Sequence, residues 1–212
     1  MQDSSLVKLI RLCNSISSDP NILKEFQEEI EGRTKDKILT SMIRNVLKNT
    51  NLDGLGVVHG ILPLFFQERT ITEIDLYNSS GLGIKCFFMS KETYFPLHDH
   101  PNQAVITSVL YGNVRHMSLN KTQDPNTLIV NSKGSGIVGD IMFNTLNHKN
   151  VHTILALTNS VILDVFMHNA NEAGSFYKVL KKKGKNFTVC KDEHVHFLTR
   201  SWKVSNCDCL ES

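Results

Sequence analysis

A chain of 212 residues, 41% hydrophobic and 21% charged, can bury a full core, and as an all-β barrel it can do so in one domain. Its 23 basic and 21 acidic residues leave a formal charge of +2, without the dense basic stripe that a nucleic-acid partner requires. No apolar run is long enough to span a bilayer, which excludes a helical membrane protein.

The first fifty residues read as helical. Leu6, Leu9, Ile10 and Cys13 recur at helical spacing, then Ile22, Leu23, Phe26 and Ile30, then Ile38, Leu39, Met42, Ile43, Val46 and Leu47. Breaks fall at Ser18-Asp19-Pro20 and Gly32-Arg33-Thr34, where cap and turn residues cluster. Asp3, Lys8, Arg11, Asp19 and Lys24 interrupt any signal-peptide apolar core. Without an export signal, the five cysteines, Cys13, Cys86, Cys190, Cys207 and Cys209, are expected to be reduced thiols in the cytosol or nucleus. Amphipathic helices must cover something, so residues 1–50 are expected to pack as a layer on the domain formed by residues 51–212.

From about residue 70 the pattern turns to short β-rich runs. They are Gly83 to Met89, Ala104 to Leu110, Val114 to Leu119, Leu128 to Val130, Ile154 to Leu157 and Val161 to Phe166. Turn-forming stretches such as Asn78-Ser79-Ser80-Gly81 and Tyr111-Gly112-Asn113 separate them, the spacing of a β-sandwich or barrel. Phe176 to Leu180, Phe187 to Cys190 and Val195 to Leu198 add further candidates, with Lys181-Lys182-Lys183-Gly184-Lys185 read as a solvated loop between strands.

The chemistry concentrates in Phe95-Pro96-Leu97-His98-Asp99-His100-Pro101. Alternation across a strand places His98 and His100 on one face and Asp99 on the other. Two imidazoles on one face, with a third from another strand, can cap one side of a metal ion. The spacing alone is weak, since His194-Val195-His196 repeats it. Context separates the two pairs. Val109-Leu110-Tyr111-Gly112 follows the first as a hairpin signal, then Gly139-Asp140 precedes a strand and Asn150-Val151-His152 precedes another.

That order resembles the two-part cupin signature, and the stretches Pro96-Leu97-His98-Asp99-His100-Pro101 and Val109-Leu110-Tyr111-Gly112 resemble the central motif of the 2-aminoethanethiol (cysteamine) dioxygenase and plant cysteine oxidase family. Gly83 to Phe88, Asn150-Val151-His152 and Val161 to Phe166 extend the similarity over residues 70 to 180. The resemblance implies a mainly β cupin double-stranded β-barrel with an N-terminal helical layer. It implies Fe(2+) held by His98, His100 and His152, with Asp164 and Tyr177 near the substrate. The usual cupin glutamate is missing, Gln103, Ala104 and Val105 standing in its place. Three neutral imidazoles would leave the full 2+ charge on the metal and favour a thiolate, where many non-haem iron sites use two histidines and a carboxylate. The implied reaction joins O2 to the sulfur of cysteamine or of a protein's N-terminal cysteine, giving a sulfinic acid. The second substrate would make the protein an oxygen sensor feeding a degradation pathway, acting as a monomer away from membrane and nucleic acid.

The chain also departs from the family. Met167-His168-Asn169-Ala170 replaces a proline-pair and tyrosine segment, and Gly174-Ser175-Phe176-Tyr177-Lys178 lacks the cysteine and the first aromatic hydroxyl of relatives. Tyr177 matches the second aromatic. His148 is an alternative third ligand, and His168 a substitute for the lost tyrosine. His59 and His116 carry no motif, and a zinc site joining His194 and His196 to Cys190, Cys207 or Cys209 lacks paired spacing. Two readings from other classes stand beside the oxygenase: a non-catalytic metal- or ligand-binding cupin, and a three-histidine zinc hydrolase.

Overall fold

The computed structural model describes residues 4–57, 59–145, 147–167, 174–195 and 198–203. His168, Asn169, Ala170, His196, Cys207 and Cys209 lie outside the described residues, as does the side chain of His59.

Three helices form where the apolar stripes and caps predict them: α1 (Ser5–Ser17), α2 (Pro20–Glu31) and α3 (Ile38–Lys48). Ser4 caps α1 by accepting from the Val7 amide. Asp19 caps α2 from Asn21 and Ile22, with Pro20 pre-set at the first turn and Gly32 closing the helix at φ 74°. Helix α3 has no capping side chain of its own. Its donors are met by Glu29 of α2, which is fully buried and accepts from the amides of Leu39 at 3.0 Å and Thr40 at 2.8 Å. Lys37 donates in turn to the Glu29 carbonyl. Glu29→Ala strands one buried and one half-buried amide and is expected to cost about 2–3 kcal/mol, lowering Tm by roughly 5–10 °C, with Glu29→Gln losing less. Differential scanning calorimetry of the two variants checks this.

After a short helix α4 (Leu62–Phe65), twelve strands follow: β1 (Thr70–Asn78), β2 (Leu82–Met89), β3 (Tyr94–His98), β4 (Ala104–Tyr111), β5 (Asn113–Lys121), β6 (Thr127–Ile137), β7 (Ile141–Asn144), β8 (Val151–Ala156), β9 (Ser160–Met167), β10 (Tyr177–Lys183), β11 (Asn186–Lys191) and β12 (Leu198–Lys203). They build two six-stranded sheets, ordered β12-β1-β2-β9-β4-β7 and β10-β11-β6-β5-β8-β3. Among the described residues every strand pairing is antiparallel except β1 with β12. The architecture is a mainly β, double-stranded barrel with an N-terminal helical layer.

Strand alternation divides the core. Ile84, Cys86 and Phe88 of β2, Ala104 and Ile106 of β4, and Leu163 and Val165 of β9 face outward and join Leu9, Cys13, Phe26 and Ile43 of the helices in one apolar cluster. The opposite face of the same strands supplies Phe87, Met89, Val109 and Ile162, which pack between the sheets against Phe95, Val114, Ile154 and Ala156. The helices are therefore the second layer that makes the first sheet apolar on both faces. Gly112, at φ 75°, lets the β4–β5 turn pass beneath Asn159, whose carbonyl a Cβ would strike.

The strand bounds differ from the sequence pattern in two places. The strand expected at Val195 to Leu198 runs Leu198–Lys203, and the lysine cluster lies on β10 and its turn rather than in a loop. The candidate read at Phe176 to Leu180 continues through the lysines as β10, an extension that uniformly exposed charged positions give no alternation to reveal. The described cysteines, Cys13, Cys86 and Cys190, are free, and no described helix is long and apolar enough to cross a membrane.

Candidate metal centre

His98 ends β3 and stands opposite His152 of β8. A register irregularity between Phe95 and His98 turns both of these residues toward the space between the sheets. His100 follows beyond the strand end, where its carbonyl accepts from the Asn150 amide at 3.0 Å. Asn150 also donates to the Thr145 carbonyl at 3.3 Å, so one side chain ties the His-x-His segment to the loop before β8.

The three rings stand 4.6 to 4.9 Å apart between centroids, and their nitrogens converge within 4.8 Å of one another. His100 Nε2 lies 2.8 Å from His152 Nε2. Two imidazole nitrogens this close either share a proton or share a cation. Neighbouring ligands bonded at about 2.1 Å and at right angles to each other would stand about 3 Å apart, so the spacing suits one ion.

The tautomers suit it as well. His98 Nδ1 is 2.7 Å from the Pro96 carbonyl, which can only accept, so Nδ1 carries the proton and Nε2 is left bare. The Asn144 amide is satisfied when its nitrogen donates to the carbonyls of Phe143 and Lys149, both at 3.2 Å. We assign that orientation, which turns its oxygen toward His152 Nδ1, 3.4 Å from the near end of the amide. Burial holds all three imidazoles neutral: it lowers His98, lowers His100 to about 3 with help from His98, and lowers His152 well below the usual histidine range, with His98, His100 and His116 adding to it. Neutral, oriented imidazoles with no carboxylate in the set could hold a metal.

Asp164 lies on β9, on the face shared with Ile162 and Phe166 that looks between the sheets. The Phe166 ring is 5.6 Å from that of His100. Asp164 is 5% exposed, and burial raises its carboxyl to about 7, eased only by Thr107 across the strand pair. Both Asp164 Oδ1 and Thr107 Oγ1 lack a hydrogen-bond partner of good geometry.

Asp99 points the other way, as alternation predicts. It accepts from Lys121 at 2.6 Å, the Ser175 amide at 2.6 Å and the Tyr177 hydroxyl at 2.8 Å. Burial opposes its charge, but Lys121, Ser175 and Tyr177 together hold it below the usual carboxylate range. Tyr177 is thus brought to Asp99, while its neighbour Phe176 stands against His98, ring centroids 5.8 Å apart. Gly174 permits this approach, since a Cβ there would strike the Asp99 carbonyl.

The model of the PCO_ADO family matches residues 65–211, about two-thirds of the chain and all three histidines. The chain belongs to the PCO_ADO family. Over 84 residues it is 27% identical to the 2-aminoethanethiol dioxygenases of Mus musculus and Homo sapiens, covering 38% of this chain and 33% and 31% of those proteins. The match therefore spans about a third of the length of these curated relatives. A cupin superfamily protein from Desulfitobacterium hafniense is similar in structure at 11% identity and a TM-score of 0.40, covering 54% of this chain and 87% of that one.

Of the other histidines in this PCO_ADO chain, His148 sits in the turn before β8, outside the three-histidine group. It lines a separate cleft with His116. His194 is exposed beside Asp192, which accepts from its amide.

The sequence pattern carries Asn150 as part of the third-ligand motif without giving it a role, and it did not single out Asn144 or a charged trio on the interior face. Lys85, the register partner of Asp164 on β2, reaches Glu73 at 2.5 Å and Asp75 at 3.3 Å on β1. Burial lowers the Lys85 pKa, but the hydrogen bond and charge of Glu73, then Asp75, outweigh it and raise the ammonium above its usual range. A signal existed: Lys85 is the single charge in an apolar strand, as Asp164 is in its own.

Proposed function

We propose that this protein is an iron-dependent thiol dioxygenase that converts RSH and O2 to the sulfinic acid RSO2H. The substrate is cysteamine or the N-terminal cysteine of a protein or peptide. The reading rests chiefly on three neutral imidazoles converging without a carboxylate in a chain of this family. His98, His100 and His152 would hold the iron, which when bound supplies a 2+ charge that lowers the thiol pKa and a redox centre for dioxygen.

The remaining work falls to the chain's own residues. Asp164 offers an unpartnered carboxylate oxygen between the sheets, suited to accept from the ammonium next to the reacting thiol. Both cysteamine and an N-terminal cysteine carry that ammonium two carbons from sulfur. Phe166 and Phe176 flank the imidazoles with apolar rings that exclude water. Tyr177 acts through Asp99, fixing the segment that carries Phe176. The protein would act as a monomer in the cytosol, and also in the nucleus. With a cysteine-initiated protein as substrate it would report oxygen to a degradation pathway.

The test is oxygen consumption by anaerobically purified, iron-loaded protein, offered cysteamine and a cysteine-initiated peptide in separate reactions. A mass gain of two oxygen atoms on either product is the expected result and identifies the substrate branch. No uptake with either, at one bound iron per chain, would point instead to a non-catalytic metal-binding cupin.

A further inference from the structure

A cavity of about 830 Å³ lies apart from the three histidines. It opens between α3, the edge strand β7, and strands β5 and β6 of the other sheet. Four cations line it, Lys37, Arg44, Lys48 and Lys149, against two carboxylates, Glu29 and Asp140.

Both carboxylates accept from backbone amides. Glu29 accepts from the first amides of α3, and Asp140 from the Ile137 amide at 2.8 Å. Lys37 is held at the Glu29 carbonyl. Arg44, Lys48 and Lys149 have no ion pair among the described residues. The Arg44 guanidinium lies 4.6 Å over the Phe143 ring, a stacking that fixes the plane while leaving its edge N–H groups to donate. Across the cleft, His116 forms part of the wall, its Nδ1 buried and without a hydrogen-bond partner, and Ser118, Ser132 and Ser135 add hydroxyls.

Uncompensated cations, a stacked guanidinium and an orphaned ring nitrogen around one concave space are the parts of an oxyanion receptor. We propose that this cleft binds a small, diffusible, phosphate-bearing anion at a site distinct from the metal centre. The helical layer closes one side of the cleft, so the fit is to a compact anion rather than a polymer. One wall is Asn144, the residue whose amide faces His152, so an occupant stands directly behind a candidate ligand.

The experiment is isothermal titration of the metal-free full chain with inorganic pyrophosphate at low and raised salt. One pyrophosphate per chain is expected, weakening as salt rises. Arg44→Gln and Lys149→Gln should each weaken binding about tenfold, since each removes a charge-assisted contact. Lys181→Gln with Lys182→Gln, on the exposed face of β10, should leave it unchanged. Absence of saturable binding, equal loss in the β10 variant, or undiminished binding in both cleft variants would overturn the proposal. Should Arg44→Gln fail to fold by circular dichroism, the Lys48→Gln/Lys149→Gln pair carries the same comparison without disturbing the Phe143 stack.

Discussion

His152→Ala is expected to reduce bound ferrous iron from one per chain to almost none while the barrel stays folded. His152 is nearly fully buried on β8, between β5 and the terminal strand β3, its Nδ1 faces Asn144, and its Nε2 meets that of His100. Removing it leaves two imidazoles with no carboxylate to replace the third. His98→Ala and His100→Ala should do the same, because each supplies one of the three converging nitrogens. Asn144→Ala provides the scale. Losing a hydrogen-bonded supporter of a ligand typically costs roughly 10–100-fold in metal affinity, and loss of the ligand itself must exceed that. Metal content by mass spectrometry and affinity by chelator competition read the series directly. Full iron and turnover in His152→Ala, with loss of both in His148→Ala, would show that the third ligand is His148.

The second large effect is a pH-dependent gain of stability in Asp164→Asn. Burial raises the Asp164 carboxyl from 3.8 to about 7 in the folded chain, so the folded state binds this proton more tightly than the unfolded one. Stability therefore falls as pH rises from the unfolded value to the folded value, and the penalty is complete above it. A difference of about three units corresponds to about 4 kcal/mol, an upper value for a single buried carboxyl. Asn carries no charge to desolvate and its amide can reach the partnerless Thr107 hydroxyl. Metal-free Asp164→Asn should thus melt several degrees above the parent protein at about pH 8, and the two should converge near pH 4. In iron-loaded protein the same change should lower turnover more than metal content, since Asp164 is proposed to accept from the substrate ammonium. Equal loss of metal and turnover would make it a structural residue. A carboxylate that destabilises the fold at neutral pH is the kind of strain retained for function.

The sequence made the helices, most strands and the histidine group legible for local reasons. Ser4, Asp19 and Gly32 mark helix ends through contacts within one turn, and alternation marks strands with one buried face. It marked the site less directly. Alternation alone would converge His98 and His100 within one strand, yet His98 is the last residue of β3 and His100 lies beyond it. Their convergence depends on the irregularity after Phe95 and on Asn150, fifty residues away, holding the His100 carbonyl. Tyr177 was matched by position in a motif, but motif order cannot say which of two adjacent aromatics faces inward. The pairing of Phe176 opposite His98 decides it. The cationic cleft was invisible for the same reason: its cations are spread from residue 37 to 149, and only the stacking of α3 on the sheet edge gathers them.

Strand β10 ends the second sheet, bonded to β11 along one side and turning a row of backbone groups outward along much of the other. Lys178, Lys181, Lys182 and Lys183 occupy four of its seven positions, all exposed. A strand from another molecule adding there would have to bring its own backbone alongside that row of ammonium groups. If the newcomer were the same strand, lysine would meet lysine at close range, with water stripped from both. A basic run of this kind disfavours pairing of that edge with a second copy of the strand.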